Sequence, residues 1–233
     1  MRSIFIMLCC LGIVPSLVGQ PTPEKPKPRG FEKKIIAGIA YQQYWSTLRG
    51  SSLPENYFSK PSLGFSVSVE YYPLSFIGIG AGAGYQQRGA GILHSNTLPV
   101  TASNPDSTYR ERLRFNTVEF PISLFIRTPR DIVKGLRLGG SIAIVPMVNL
   151  YSRDVFLEVE PNVRDTDRVR DVSSSYFKKD TAYQLSFGPE IDSGGSGIIK
   201  VHFLYSRGTT NVFKTAQGTG HNQTMGLRMS VLF

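Results

Sequence analysis

The residues that most often carry catalysis or metal binding are sparse in this chain of 233 residues. Its three histidines, His94, His202 and His221, lie far apart, and none forms an H-x-x-x-H pair or joins carboxylates at metal-ligand spacing. Its two cysteines, Cys9 and Cys10, both fall within an apolar N-terminal run. The spacing therefore predicts no metal site and no cofactor, and it supports no catalytic assignment.

A glycine-rich segment at 77–89, IGIGAGAGYQQRG, could instead hold a phosphate. Its glycines occupy alternate positions, at Gly78, Gly80, Gly82 and Gly84. The dinucleotide pattern G-x-G-x-x-G needs glycine at its sixth position, but successive frames place Ala83, Tyr85 and Gln87 there. The alternation predicts a β-strand with one face free of side chains, not a nucleotide loop.

His202 is the remaining candidate for a general base. We expect it inside the domain near Lys200 and Glu190, as a hydrogen-bonded histidine. A lipid-modifying enzyme would also need a serine or a carboxylate partner near an accessible rim, and the spacing identifies none. The chain is therefore predicted not to be an enzyme, and lipid-modifying activity stays open as an alternative.

The N-terminal residues 1–19, MRSIFIMLCCLGIVPSLVG, are typical of a secretory signal peptide. Arg2 precedes an apolar run from Ile4 to Val14, and small residues follow near Gly19. Leu8 is a poor residue before a lipidated cysteine, which disfavours a lipoprotein signal. Cleavage after Gly19 removes both cysteines, so we expect neither thiol chemistry nor disulfides in the mature protein.

Residues 20–30, QPTPEKPKPRG, hold four prolines and predict an extended periplasmic tether before a single domain at 31–233. The formal net charge is +9, and the basic residues are scattered rather than clustered. In an exported protein, this charge favours contact with anionic lipid headgroups or polysaccharide and disfavours nucleic acid.

Apolar and polar residues alternate along most of the domain, which is typical of strands with one apolar face. Eight segments show this pattern: 35–42, 63–72, 77–85, 117–127, 136–149, 183–191, 199–206 and 225–233. Long polar connections at 46–61, 89–112, 151–180 and 207–222 alternate with short links at 72–76, 128–135 and 192–197. Such alternation of connection lengths is typical of membrane barrels. We predict an all-β, eight-stranded, antiparallel, up-and-down transmembrane β-barrel.

The polar face suits a narrow barrel interior because its charges are interspersed with glycine and serine. Its predicted interior network comprises Glu70, Arg88, Glu119, Arg127, Arg137, Glu190, Lys200, His202 and Arg228. Arg88 follows the glycine face and is expected to pair with Glu70 or Glu119. Aromatic residues at strand ends predict interfacial girdles: Tyr41, Tyr44, Trp45, Tyr71, Tyr72, Tyr85, Tyr151, Tyr183 and Tyr205.

Three segments resemble the outer-membrane β-barrel family of Bacteroidetes, whose members are called PorT-like or porin-family proteins and share an OmpA-like eight-stranded form. They are GIAYQQYW at 38–45, NTVEFPISLFIR at 116–127 with Glu119 and Pro121 in matching places, and the final GLRMSVLF. The resemblance implies a location in the outer membrane. The terminal Phe233 is similar to the signal that the barrel-assembly machinery reads.

We therefore expect a monomeric outer-membrane protein, exported through the periplasm, with a structural or interaction role. The resemblance implies a part in envelope integrity or an accessory role in a secretion assembly, and a narrow channel is an alternative. Arg153, Arg164, Arg168 and Arg170 of the longest loop could contact lipopolysaccharide phosphates. The simpler interpretation of that loop is a solvated surface.

Overall fold

The computed structural model describes residues 31, 34–50, 57–94, 108–159, 168–171, 178–193, 197–212 and 220–233. The predicted signal peptide and tether lie outside the described residues. The described residues form eleven strands: β1 Ile35–Arg49, β2 Tyr57–Phe58, β3 Lys60–Leu74, β4 Ile77–His94, β5 Thr108–Glu119, β6 Ile122–Arg127, β7 Leu136–Val159, β8 Arg168–Asp171, β9 Lys179–Asp192, β10 Ile198–Gly208 and β11 His221–Leu232. No helix among the described residues is long and apolar enough to cross a membrane.

The strands close into a ring with eight positions, and every neighbouring pair is antiparallel. The order around the ring is β1, β3, β4, then β5 and β6 together in the fourth position, then β7, β9, β10 and β11. The first and last strands complete the ring, with pairing from Gly38 opposite Leu232 to Arg49 opposite His221. The predicted eight-stranded up-and-down barrel is thus confirmed.

The outside of the ring is apolar, and many of the inward positions carry polar or small side chains. On β3, Phe65 and Val67 are 58% and 57% exposed, whereas Ser66 between them and Glu70 further along are buried. Other strands expose the same kind of side chain: Ile39, Ile79, Ile122, Ile142, Phe187 and Leu227. A closed strand ring leaves no unpaired edge, so such a surface suits the hydrocarbon region of a bilayer. The fold is that of a transmembrane β-barrel.

The fourth ring position is interrupted, although the sequence predicts one strand over 117–127. Pro121 separates β5 from β6 because its nitrogen carries no hydrogen to donate. The neighbouring strands still bond across the break. The Phe120 amide donates to the Pro146 carbonyl at 2.9 Å, and the Pro121 carbonyl accepts from the Gly82 amide at 3.0 Å.

The predicted loops are also partly wrong, because strand pairing continues into segments at 89–112 and 151–180. The ladder between β4 and β5 reaches His94 opposite Tyr109, and β7 pairs with β5 as far as Val159. The two ladders therefore run past the segments that were predicted to be strands. The alternation of apolar and polar residues therefore predicts the part of each strand in the exposed apolar belt, the apolar outer surface of the ring, and not the full strand length.

Two tyrosines assigned to the girdles, Tyr44 and Tyr72, point into the barrel instead, so this prediction is wrong for them. Both side chains are almost fully buried. The Tyr44 hydroxyl lies within hydrogen-bonding distance of the carbonyl oxygens of Leu63 on β3 and Gln87 on β4. Both tyrosines occupy inward positions of their strands, and strand-end location alone did not reveal this.

Candidate functional site in the barrel lumen

The glycine face of β4 gives space to two aromatic rings inside the barrel. A Cβ atom at Gly78 would lie 2.6 Å from the Tyr72 ring, and one at Gly80 would lie 2.9 Å from the Phe125 ring. The two rings pack together, with their centroids 6.2 Å apart. The space left by the glycines is therefore occupied by side chains.

Two clusters of buried apolar side chains lie in the lumen, one toward each end. The turn-end plug, near the short connections, consists of Phe31, Ile36, Tyr72, Phe125, Ile198 and Leu232. The loop-end cap, near the long connections, consists of Leu48, Ala90, Leu113, Phe115 and Val212. Close packing of this kind makes the interior of a small barrel a core and not a pore.

Next to the turn-end plug, Lys200 lies between two buried carboxylates. Its Nζ is 2.6 Å from Glu70 Oε2 and 3.4 Å from Glu190 Oε1. The Tyr72 hydroxyl donates to the same Glu70 oxygen at 2.7 Å. Arg127 completes the group, with its Nε 3.8 Å from Glu190 Oε2 and its guanidinium carbon 3.4 Å from the Tyr72 ring centroid. We call these residues the lysine cluster.

A separate ion pair joins Arg88 of β4 to Glu119 of β5. Arg88 Nε and Nη2 donate to Glu119 Oε1 at 2.9 and 2.7 Å, and both side chains are buried. Arg88 Nε also donates to Gln86 Oε1 at 2.7 Å, and Gln86 Nε2 donates to Gln42 Oε1 at 3.1 Å. This arginine cluster extends the polar interior across three ring positions.

His202 lies near a serine hydroxyl and a carboxylate, the two kinds of partner that a histidine base uses in a nucleophilic site. The Ser186 Oγ lies 3.2 Å from His202 Nδ1, and Glu190 Oε1 lies 3.5 Å from His202 Nε2. The three residues are only 6%, 4% and 1% exposed in that order, so the group lies within the packed interior and not at a rim. A lipid substrate needs an accessible site, so this arrangement favours a structural role for His202.

Ser186 is the member of this group that sequence reasoning missed. It lies opposite Leu204 on the neighbouring strand, and therefore diagonal to His202 on the same inward face. In the sequence, β9 and β10 are joined by a short link. Counting back from that link could have placed the serine beside the histidine.

The remaining predicted interior residues are Arg137 and Arg228, and the remaining predicted site residue is Phe233. Arg137 is near the turn end, where its Nε contacts Asp131 Oδ1 at 2.8 Å and its guanidinium carbon lies 4.4 Å from the Phe31 ring centroid. Arg228 is opposite Gln42 and His202 in the strand register. Phe233 is exposed, and its backbone exchanges hydrogen bonds of 2.8 and 3.1 Å with Ala37.

The outer wall at the loop end carries arginines on neighbouring strands. Arg114 of β5 is opposite Arg153 of β7, and both lie on the outward face because Phe115 and Ser152 beside them are buried. Arg153 is exposed and lies 4.8 Å from the Tyr151 ring centroid. Like charges directly opposite each other on a sheet repel, and on its other side Arg153 is opposite Asp171 of β8. Of the other predicted loop arginines, Arg164 lies outside the described residues.

Comparison with known proteins gives a likeness of shape alone. No family model and no curated protein matches the chain. Among solved structures, Ail, the attachment invasion locus protein of Yersinia pestis, has 11% identity, a TM-score of 0.41, and coverage of 86% of this chain and 100% of its own. Neisserial surface protein A has 8% identity, a TM-score of 0.42, and coverage of 86% and 98%. The translocator domain of NalP from Neisseria meningitidis has 11% identity, a TM-score of 0.27, and coverage of 86% and 88%. The assignment of the fold therefore rests on the closed ring of strands and not on these scores.

Proposed function

We propose that the chain is an integral outer-membrane barrel with a structural or interaction role and not a general pore. The observation that carries this proposal is an apolar exterior around a lumen that holds buried apolar side chains toward each end, in the turn-end plug and the loop-end cap. The exterior accounts for membrane insertion, and the packed interior disfavours solute passage. The proposed role includes assembly through Phe233 and a part in envelope integrity or in a secretion complex, as the family resemblance implies.

Fractionation of cells that express the full chain tests the location. We expect the protein in the outer-membrane fraction, with faster gel migration before heating than after it, because the closed barrel resists detergent at room temperature. Planar bilayers that contain the purified protein should show no stable conductance steps. Recovery as a detergent-free soluble monomer would contradict the membrane proposal, and regular conductance steps would replace the structural role with the channel alternative.

The partner that we propose for the outer wall is the phosphate of outer-leaflet lipopolysaccharide. The support is the Arg114–Arg153 pair, which concentrates positive charge just above the exposed apolar belt. Guanidinium groups bind phosphate with paired hydrogen bonds, and each cation near a charged membrane surface contributes about 1 kcal/mol.

The double variant Arg114→Ser with Arg153→Ser is expected to retain several-fold less lipopolysaccharide phosphate per barrel after detergent purification than the parent chain, because two cations are lost. Phosphate analysis of the purified protein measures this ratio. Arg130→Ser is the matched control, because Arg130 is exposed at the opposite, turn end. An equal loss in the control and the double variant would show that the outer-wall arginines hold no lipid.

A further inference from the structure

One inward layer at the loop end combines a small cavity with oxygen atoms that lack donors. The layer crosses Thr117 of β5, Asn149 of β7, Asp180 of β9 and Asn222 of β11. Thr117 is opposite Asn149 in the register, and Asp180 is opposite Met147 on β7. A cavity of about 20 Å³ lies among these side chains. This volume suits one small ligand, such as a water molecule or a single ion.

Three side-chain oxygens of this layer accept no hydrogen bond from any described residue: Asn149 Oδ1, Asp180 Oδ2 and Asn222 Oδ1. Asn222 is 4% exposed, so water outside the barrel cannot solvate its oxygen freely. A buried acceptor without a donor is unfavourable, and here three acceptors line the same cavity. Three acceptors exceed the two hydrogens of a water molecule, so a cation satisfies them better.

The other atoms of these side chains are held in place. Asp180 Oδ1 accepts the Thr181 and Thr210 amides at 2.7 and 3.0 Å, which leaves Oδ2 free for a ligand. Asn149 Nδ2 donates to Ser152 Oγ at 2.6 Å, which directs Oδ1 the other way. A Cβ at position 208 would lie 2.6 Å from Asp180 Oδ2, so glycine at this position makes room for the carboxylate.

The chemistry of these oxygens is that of a calcium site. Carboxylate and amide oxygens are ordinary Ca²⁺ ligands, and Ca²⁺ tolerates irregular geometry, whereas Mg²⁺ demands a near-ideal octahedron. Lys179 also lines the cavity, but its side chain is exposed on the other side of β9. We propose that Asn149, Asp180 and Asn222 bind one Ca²⁺ ion at the loop end of the lumen, with water completing the coordination.

A bound ion would join three strands of the ring and steady the segment after β10. Asp180 already anchors that segment through the Thr210 amide, and the Val212 amide donates to the Gly220 carbonyl at 2.8 Å. Because the site has a single carboxylate, we expect affinity in the millimolar range, as in weak extracellular calcium modules. The role goes beyond the proposed function, because it adds a ligand that controls the stability of the loop end.

The test is thermal unfolding of the full chain, refolded in detergent, with CaCl₂ or with EDTA at equal ionic strength. We expect about 10 mM CaCl₂ to raise the midpoint by about 3–5 °C, and the same concentration of MgCl₂ to raise it less. Asp180→Asn keeps an oxygen for the Thr181 and Thr210 amides, so it should fold in EDTA but lose the calcium shift.

Two further variants sharpen the result. Asn149→Asp adds a second carboxylate, so the calcium concentration for half of the shift should fall about tenfold. Asp131→Asn is the matched control at the opposite end, and it should keep the full shift. An equal midpoint in CaCl₂ and EDTA for the parent chain, or an undiminished shift in Asp180→Asn, overturns the proposal. Membrane fractionation does not depend on these outcomes, so the two proposals can fail separately.

Discussion

Replacing Arg88 with methionine is expected to lower the free energy of unfolding by about 3–5 kcal/mol, because it leaves the buried Glu119 carboxylate without the cation that donates hydrogen bonds to it. Arg88 is 0% exposed and donates two hydrogen bonds to Glu119. Methionine keeps most of the side-chain length, so the loss reports the ion pair and not a cavity. Urea unfolding of the barrel in lipid vesicles, followed by tryptophan fluorescence, measures the difference.

Two controls separate the ion pair from general damage to the interior. Adding Glu119→Gln to Arg88→Met removes the isolated charge, so the double variant should recover most of the lost stability. Arg137→Met breaks a partly exposed pair with Asp131 and should cost less than about 1 kcal/mol. If Arg88→Met and Arg137→Met cost the same, burial is not what makes the Arg88 pair important.

The second large effect is expected at Lys200, where methionine should lower the free energy of unfolding by about 3–5 kcal/mol. Its Nζ is the nearest cation to Glu70 and also contacts Glu190, so its loss leaves two buried carboxylates short of positive charge. Arg127 lies 3.8 Å from Glu190 and compensates only one of them. Vesicle unfolding in urea at neutral pH measures the change.

Adding Glu70→Gln to Lys200→Met should restore stability, since Arg127 then balances the remaining Glu190. Lys179→Met is the control, because this lysine is exposed and its removal should be nearly neutral. If Glu70→Gln fails to rescue Lys200→Met, the stability of the lysine cluster does not come from charge balance between these side chains.

The sequence pattern was enough to predict the ring of strands, but it did not predict the break in one strand or the full length of others. Alternation on segments such as 63–72 follows directly from lipid outside and packed side chains inside, so strand number and facing could be predicted. The break at Pro121 and the paired extensions beyond the belt could not, because they depend on hydrogen bonds between strands. Tyr44 and Tyr72 were assigned to the girdles from their strand-end location, but a residue at a strand end can face either the lipid or the lumen.

The partners inside the lumen were the hardest part to foresee. Arg88 and Glu119 lie on neighbouring strands, so a pairing could be expected from their shared inward face. Lys200 and Glu70 lie on strands separated by β11 and β1, and they meet only because the lumen is narrow. The calcium layer draws on asparagines, which carry no motif, and only the cavity and the unpaired oxygens reveal it.

The pairing of β1 with β11 also sets the order in which the molecule can form. These strands come from opposite ends of the described domain, so their hydrogen bonds must wait until every intervening hairpin has been synthesised and aligned. Contacts between residues so far apart in the chain make folding slow. Until that last seam forms, two strand edges stay unpaired and can join another chain. A folding catalyst that holds those edges would therefore act at the seam, after β11 has been synthesised.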